Sequence, residues 1–293
     1  MKQLVVVSGK GGTGKTTVTA ALAALAAEPV LADCDVDAPD LHLLLEPQIE
    51  SREEFHGLKV ADIDAEICAG CNLCTEACRF GAISESFVVD RSACEGCGTC
   101  VLVCPVDAVR LVERVSGEVL ESGTRFGPMV HAHLRAGEEA SGKLVSAVRA
   151  KAVLAAEEAG SRLLLIDGPP GVGCPVIAAM TGVDMALIVA EPTPSGRQGL
   201  RRAVGVARHF GVLACVVVNR ADLYIQEAEA IEDWCRQRAV EVLQRLPYDL
   251  AATEAMTRAR TVIEQGDGPL ARAIVSLWRE LTAIMRISEL DKA

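Results

Sequence analysis

The 293-residue chain is half apolar, carries a formal charge of −11 and contains twelve cysteines. That apolar content can fill a sizeable core, but no apolar run reaches the roughly 20 residues of a membrane-spanning helix. The acidity argues against a broad electrostatic grip on nucleic acid or on an anionic membrane.

In chain order, Leu4–Ser8 reads as a buried strand, Lys15–Ala27 as an Ala-rich helix, and Pro29–Ala32 as a strand running into Asp33-Cys34-Asp35. The pattern then breaks. It resumes with a helix over Leu144–Glu158, a strand over Arg162–Ile166, a helix over Val176–Met180 and a strand over Met185–Ala190. A helix over Gly199–Phe210, a strand over Leu213–Val218, a helix over Ile225–Arg238 and a strand over Glu241–Leu246 follow. Near-continuous apolar strands alternating with helices predict an α/β fold with a mainly parallel sheet covered on both faces. Val112–Gly142 predicts a hairpin followed by an ordered connection. The stripe Ala271, Ile274, Val275, Trp278, Leu281 and Met285 has helical spacing and predicts packing on the sheet, with mixed charges that argue against a membrane helix. The opening strand lacks the layout of a signal peptide, so a cytoplasmic location is expected.

Gly9-Lys10-Gly11-Gly12-Thr13-Gly14-Lys15-Thr16 matches the Walker A pattern between a strand and a helix, with Thr17 just inside the helix. Glycines let backbone N–H groups curl round phosphate oxygens, and the helix N-terminus adds its positive end. Lys15 would neutralise phosphates, and Thr16 would offer a hydroxyl to Mg²⁺. Leu163–Ile166 delivers Asp167 at the C-terminal end of a buried strand, where a carboxylate can hold Mg²⁺. Asp33 and Asp35 end another strand, with Asp37 as a further carboxylate. Asn219-Arg220-Ala221-Asp222 ends a third, and Pro247 follows the last. Asn219, Asp222 and Pro247 are candidate base contacts, and the Asn-Arg-x-Asp order leaves GTP open beside ATP.

Residues 60–112 contain an internal duplication with a 26-residue offset. Cys68, Cys71, Cys74 and Cys78 repeat as Cys94, Cys97, Cys100 and Cys104, and the second run ends Cys104-Pro105. The run C-x₂-C-x₂-C-x₃-C followed by Pro is the bacterial ferredoxin signature, in which the fourth cysteine ligates the other cluster. One 4Fe–4S cluster therefore takes Cys68, Cys71, Cys74 and Cys104, and the other Cys78, Cys94, Cys97 and Cys100. Zinc ribbons show C-x₂-C pairs, but not two runs of this form. Arg79 departs from the signature, which has Pro there.

With Lys10 inside the loop, the chain resembles the deviant-Walker ATPases, the P-loop superfamily of MinD, ParA and the nitrogenase iron protein. More closely it resembles the MinD-superfamily ATPases that contain an inserted ferredoxin domain. Gly127–Ala132, Ser141–Val145, Asp167–Pro175 and Glu191–Gly196 add to this resemblance. It implies a discontinuous ATPase domain over 1–59 and 113–293 and a ferredoxin domain over 60–112. It implies ATP rather than GTP, and a homodimer closed by ATP in which Lys10 reaches the partner's phosphates. It gives Asp35 the attacking water and Asp33 a supporting role at Mg²⁺. Cys174 lies where the nitrogenase iron protein has a cysteine bound to a cluster shared across its dimer, but no second cysteine appears over 105–173 here, so it reads as a packed or redox-sensitive thiol at a possible dimer interface before a bridging ligand.

Three functions follow from the resemblance. One is an ATP-gated switch coupled to electron transfer, acting on a redox partner. Another is a cluster carrier delivering to an apo-protein. The last is a redox-sensing regulatory switch. Cys34, Cys215 and Cys235 read as core residues. His131 and His133 share one face of an extended segment and could bind a metal, but read as a surface or hydrogen-bonded pair. Arg197, Arg201, Arg202 and Arg208 form one basic helix face, read as solvated or as meeting an acidic protein.

Overall fold

The computed structural model describes residues 1–135, 138 and 142–287. The elements in order are β1 (Lys2–Ser8), α1 (Lys15–Leu25), β2 (Val30–Asp33), α2 (Leu41–Leu45), β3 (Gln48–Ile63), α3 (Leu73–Ala77), α4 (Thr99–Leu102), β4 (Val109–Gly123) and β5 (Pro128–Leu134). Then come α5 (Gly142–Glu158), β6 (Leu163–Pro170), α6 (Cys174–Met180), β7 (Met185–Ala190), α7 (Pro194–His209), β8 (Leu213–Asn219) and α8 (Ile225–Arg236). The chain ends with β9 (Glu241–Leu246), α9 (Leu250–Met256), α10 (Val262–Gln265) and α11 (Pro269–Met285).

The strands form one sheet in the order β3-β4-β5-β2-β6-β1-β7-β8-β9. From β5 to β9 the pairings are parallel. Helices cover both faces of the sheet, so the central strands carry continuous apolar runs, Leu4–Val7 in β1 and Leu163–Ile166 in β6, and β7 is apolar and buried over its whole length. α11 lays Leu270, Ile274, Leu277, Trp278 and Leu281 into the core beside α1, so its apolar stripe is used in packing. No described helix is long and apolar enough to cross a membrane.

Contacts divide the chain into two compact units. The larger comprises Met1–Arg52, Val119–His133 and the described residues from Gly142 onward. The smaller comprises Glu53–Glu118 with the described residues of Leu134–Glu139. The chain leaves the larger unit along β3 and returns along β4. β4 and β5 form the expected hairpin through a turn in which Gly127 O accepts from Thr124 N at 3.0 Å. Part of the expected connection after β5, including Ser141, lies outside the described residues.

Candidate functional site

Parallel strands present their C-terminal ends along one edge, and the P-loop, Asp33, Asp167, Glu191 and Asn219 all follow from that geometry. Gly14 caps α1 in the left-handed region (φ 92°), and a Cβ there would lie 2.4 Å from Asn219 Nδ2. Only glycine fits both demands. Asn219 in turn donates from Nδ2 to Thr13 O at 2.7 Å, so the end of β8 fixes the loop.

Lys15 Nζ lies 2.6 Å from Asp35 Oδ2, with both side chains 8 % exposed. Thr16 Oγ1 donates to Asp167 Oδ2 at 2.6 Å, and Thr19 Oγ1 to Asp167 Oδ1 at 3.1 Å. Asp33 accepts from Asp35 N at 3.1 Å and from Leu41 N at 3.2 Å. Burial drives the Asp167 carboxyl above its ordinary range, against the pull of Lys15. Burial, aided by the Asp167 charge, does the same to Asp33, more strongly. Burial also raises Asp35, with Lys15 opposing it. Burial works against the Lys15 charge, yet Asp167, Asp35 and Asp33 together hold its ammonium above the usual lysine range. Three carboxylates around one ammonium is an excess of negative charge that a divalent cation can relieve. Thr16 and Asp167 are hard oxygen donors of the kind Mg²⁺ takes, and the buried Thr13 Oγ1 has no partner.

A cavity of about 550 Å³ runs along this edge, lined by Gly11, Lys15, Thr16, Asp35, Pro169 and Arg220 among others. A second cavity shares Gly14, Thr17 and Arg220 with it and continues to Asn219, Pro247, Tyr248 and Met256. Asp37 lines the first cavity. Asp222 is in neither lining set; its Oδ1 accepts from Tyr248 N at 2.7 Å. Cys174 begins α6 and is exposed.

Lys10 Nζ rests 2.7 Å from Glu191 Oε2 and 3.4 Å from Thr193 Oγ1. Arg220 Nη1 bonds the other oxygen of Glu191 and reaches Gly12 O at 3.4 Å. The sequence pattern around Glu191 contributed to the resemblance but gave this residue no role. Its position, one residue past an apolar strand, was the available signal.

In the smaller unit the 26-residue offset reappears as backbone geometry. Gly70 (φ 65°) corresponds to Gly96 (φ 63°), Asn72 (φ 61°) to Gly98 (φ 76°), and Gly81 (φ 62°) to Asp107 (φ 53°). Cys78 Sγ accepts from Ala82 N at 3.3 Å, and Cys104 Sγ from Ala108 N at 3.2 Å. Cys94 Sγ accepts from Ala61 N at 3.4 Å. Cys78, Cys94, Cys97 and Cys100 line one cavity, together with Ile83, Leu111 and Gly96. Cys74 and Cys100 are buried in a small core with Ile83 and Val109, and Cys104 packs on it. Cys68 is half-buried and Cys71 exposed. Among the described residues no three His, Cys, Asp or Glu side chains are arranged to hold a single metal ion. The donors are thiolates that suit iron–sulfur cores, and backbone N–H groups aimed at sulfur are one way a protein tunes such clusters.

The model of the CobQ/CobB/MinD/ParA nucleotide binding domain family matches residues 4–262. The chain belongs to that family. A CobQ/CobB/MinD/ParA domain accounts for the P-loop edge and for the mostly parallel sheet. The chain is 35 % identical over 221 residues to the uncharacterized protein MJ0578 of Methanocaldococcus jannaschii, covering 74 % of this chain and 78 % of that one. It is 24 % identical over 297 residues to an iron–sulfur cluster carrier protein of Pyrococcus abyssi, covering 95 % and 85 %. Its fold is similar to that of the septum site-determining protein MinD of Pyrococcus horikoshii, solved with Mg-ADP, at a TM-score of 0.57, 19 % identity and 98 % coverage of both chains.

The histidines and the remaining thiols play structural parts in this domain. His131 is buried on β5, bonds Ser122 Oγ through Nε2 at 3.0 Å, and packs edge-on to His133 with ring centroids 5.6 Å apart. Cys34, Cys215 and Cys235 are buried. Burial raises Cys215 and Cys235 to about 11, so both stay as inert thiols.

Proposed function

We propose that this chain is a MgATP-binding and hydrolysing switch that closes as a homodimer and couples nucleotide turnover to electron transfer through two 4Fe–4S clusters. The observation that carries the nucleotide half is Lys15 paired with Asp35 beside Thr16 paired with Asp167. Arriving phosphates take the Lys15 ammonium from Asp35. The Asp35 carboxylate is then free to orient a water for attack, while Asp33 keeps its backbone in place. Thr16 and Asp167 would hold Mg²⁺, with Asp33 behind them. When bound, that ion neutralises charge on the phosphate oxygens. Lys10 serves the partner's phosphates. Asn219 and Pro247 bound the adenine. Asp222 lines neither cavity and its Oδ1 accepts from Tyr248 N, which favours ATP over GTP.

The cluster half is supported by the repeat of backbone turns and N–H···S bonds at one offset, which sequence spacing alone did not require. Cys68, Cys71, Cys74 and Cys104 would hold one cluster, and Cys78, Cys94, Cys97 and Cys100 the other. Bound clusters supply one-electron chemistry; the chain supplies the thiolates, the aimed N–H groups and the apolar surroundings of Ile83 and Leu111. These residues belong to a compact unit of their own, as a ferredoxin insertion requires.

The test is anaerobic reconstitution followed by redox titration with and without MgATP. About eight iron atoms per chain are expected, with cluster potentials that move when MgATP binds. A count near four, or potentials indifferent to MgATP at saturating occupancy, overturns the coupling. The likeness to the Pyrococcus abyssi carrier favours one second reading, delivery of clusters to an apo-protein. Transfer of iron to an apo-acceptor, rather than electrons, would select it.

A further inference from the structure

Sheet order brings three charged residues together that lie far apart in sequence. β7 lies between β1 and β8. Its last residues pair with both, Ile188 with Val7 and Ala190 with Val218. The next residue, Glu191, therefore emerges between the loop that follows β1 and the residue that follows β8. Those neighbours supply Lys10 and Arg220.

Glu191 is held from behind. Its carbonyl accepts from Thr193 N at 2.8 Å. Gly196 packs so close that a Cβ there would sit 2.3 Å from the Glu191 oxygen. Its side chain is 13 % exposed, against 34 % for Lys10 and 38 % for Arg220. The carboxylate is thus the fixed member, and the two long cations are the movable ones. Both its oxygens are engaged, Oε2 by Lys10 and Oε1 by Arg220.

A lysine cannot bond this carboxylate and the phosphates of another molecule at once. We propose that Glu191 is a latch that parks Lys10 within its own chain and releases it when a second copy presents its triphosphate. Arg220 stays behind as the counterion that keeps Glu191 from being stranded once Lys10 leaves. This rests on the reading of an ATP-closed dimer, and it adds a regulator to that site. The latch raises the threshold for closure, so dimers form only when the partner's phosphates outcompete Glu191.

The test uses the full, cluster-loaded chain and the variant Glu191→Gln. In nucleotide-free protein, acylation of Lys10 by an amine-reactive ester, followed by peptide mass spectrometry, is expected to run about 1.5- to 5-fold faster in the variant, the scale of a partly exposed ion pair. In wild type, 1 M salt is expected to raise the same rate by screening the pair, a readout that needs no variant. With MgATP, sedimentation is expected to show the variant dimerising at a several-fold lower concentration. Labelling rates unchanged by both the variant and salt overturn the latch. So does faster labelling with no gain in dimerisation over a wild type that does dimerise. If neither chain dimerises with MgATP at any concentration, the dimer reading itself fails, and the latch fails with it.

Discussion

Replacing Lys15 tests the electrostatic logic of the site more sharply than any other change. In Lys15→Met the ammonium disappears, and Asp35, Asp33 and Asp167 remain buried at 5 %, 0 % and 0 % exposure. Breaking a buried pair by deleting one partner costs about 3–5 kcal/mol, because it strands the other charge. At about 2–4 °C per kcal/mol for a unit of this size, the larger unit should melt roughly 6–20 °C lower at pH 8. The carboxyls have another way out, which is to take up protons. Burial already sets all three above their ordinary range, and losing the cation removes the opposing pull of Lys15 on Asp35 and Asp167. A folded-state carboxyl raised above its unfolded value binds protons more tightly when folded. Its effect therefore stabilises the fold as pH falls and destabilises it as pH rises through the folded value. The deficit relative to wild type should shrink between pH 8 and pH 6. Melting curves by circular dichroism at both values would read it, with iron content confirming that the smaller unit is intact. A deficit that is the same at both pH values, or MgATP turnover equal to wild type, would refute the reasoning.

Two further predictions test packing and the histidine pair. Burial, followed by His133, His42 and Arg52, lowers His131 to about 4, below its unfolded value near 6.5, so the stability it lends at neutral pH is lost as pH falls through that window. Wild type should lose about 2 kcal/mol from this source by pH 5, and the slope of stability against pH should flatten in His131→Asn; an unaltered slope rejects the assignment. In Gly9→Ala, a Cβ would lie 2.2 Å from the backbone carbon of Gly199, a clash no rotamer relieves. It should push α7 from the P-loop at a cost near the upper end of overpacking penalties, about 3 kcal/mol, with loss of nucleotide binding by fluorescent-analogue titration. Near-normal affinity would mean that the close approach is not required.

The sheet was legible in the sequence because its central strands are buried on both faces, so Leu4–Val7, Leu163–Ile166, Met185–Ala190 and Cys215–Val218 stand out as apolar runs. The P-loop was legible because phosphate chemistry needs glycines at fixed places. β3 was not. Its run Gln48-Ile49-Glu50-Ser51-Arg52-Glu53-Glu54 is exposed at every residue, so it carries no burial pattern, and it is a strand because β4 pairs with it. The short helices α2, α9 and α10 are too brief to show a period; α10 is defined instead by the capping box of Thr261 and Glu264. Glu191 escaped for a different reason. Its partners depend on β7 lying between β1 and β8, and strand order is not written in any local stretch of residues.

The resting site already pairs the groups that nucleotide binding needs. Lys15 holds Asp35, Thr16 holds Asp167, and Lys10 and Arg220 share Glu191. On the proposed reading, MgATP binding is an exchange of partners rather than the filling of a bare cradle. Lys15 would turn to phosphate oxygens, Thr16 and Asp167 would hold the divalent ion, and each displaced carboxylate would need a cation or water. The free nucleotide brings only negative charge to a site with three buried carboxylates, so it cannot satisfy them, whereas the magnesium complex brings a counterion for the pair it uncouples. The same exchange frees Asp35 only after Lys15 is engaged. That order keeps the water-orienting carboxylate neutralised until there is a phosphate to attack, and it needs no residue beyond those at the ends of β1, β2 and β6.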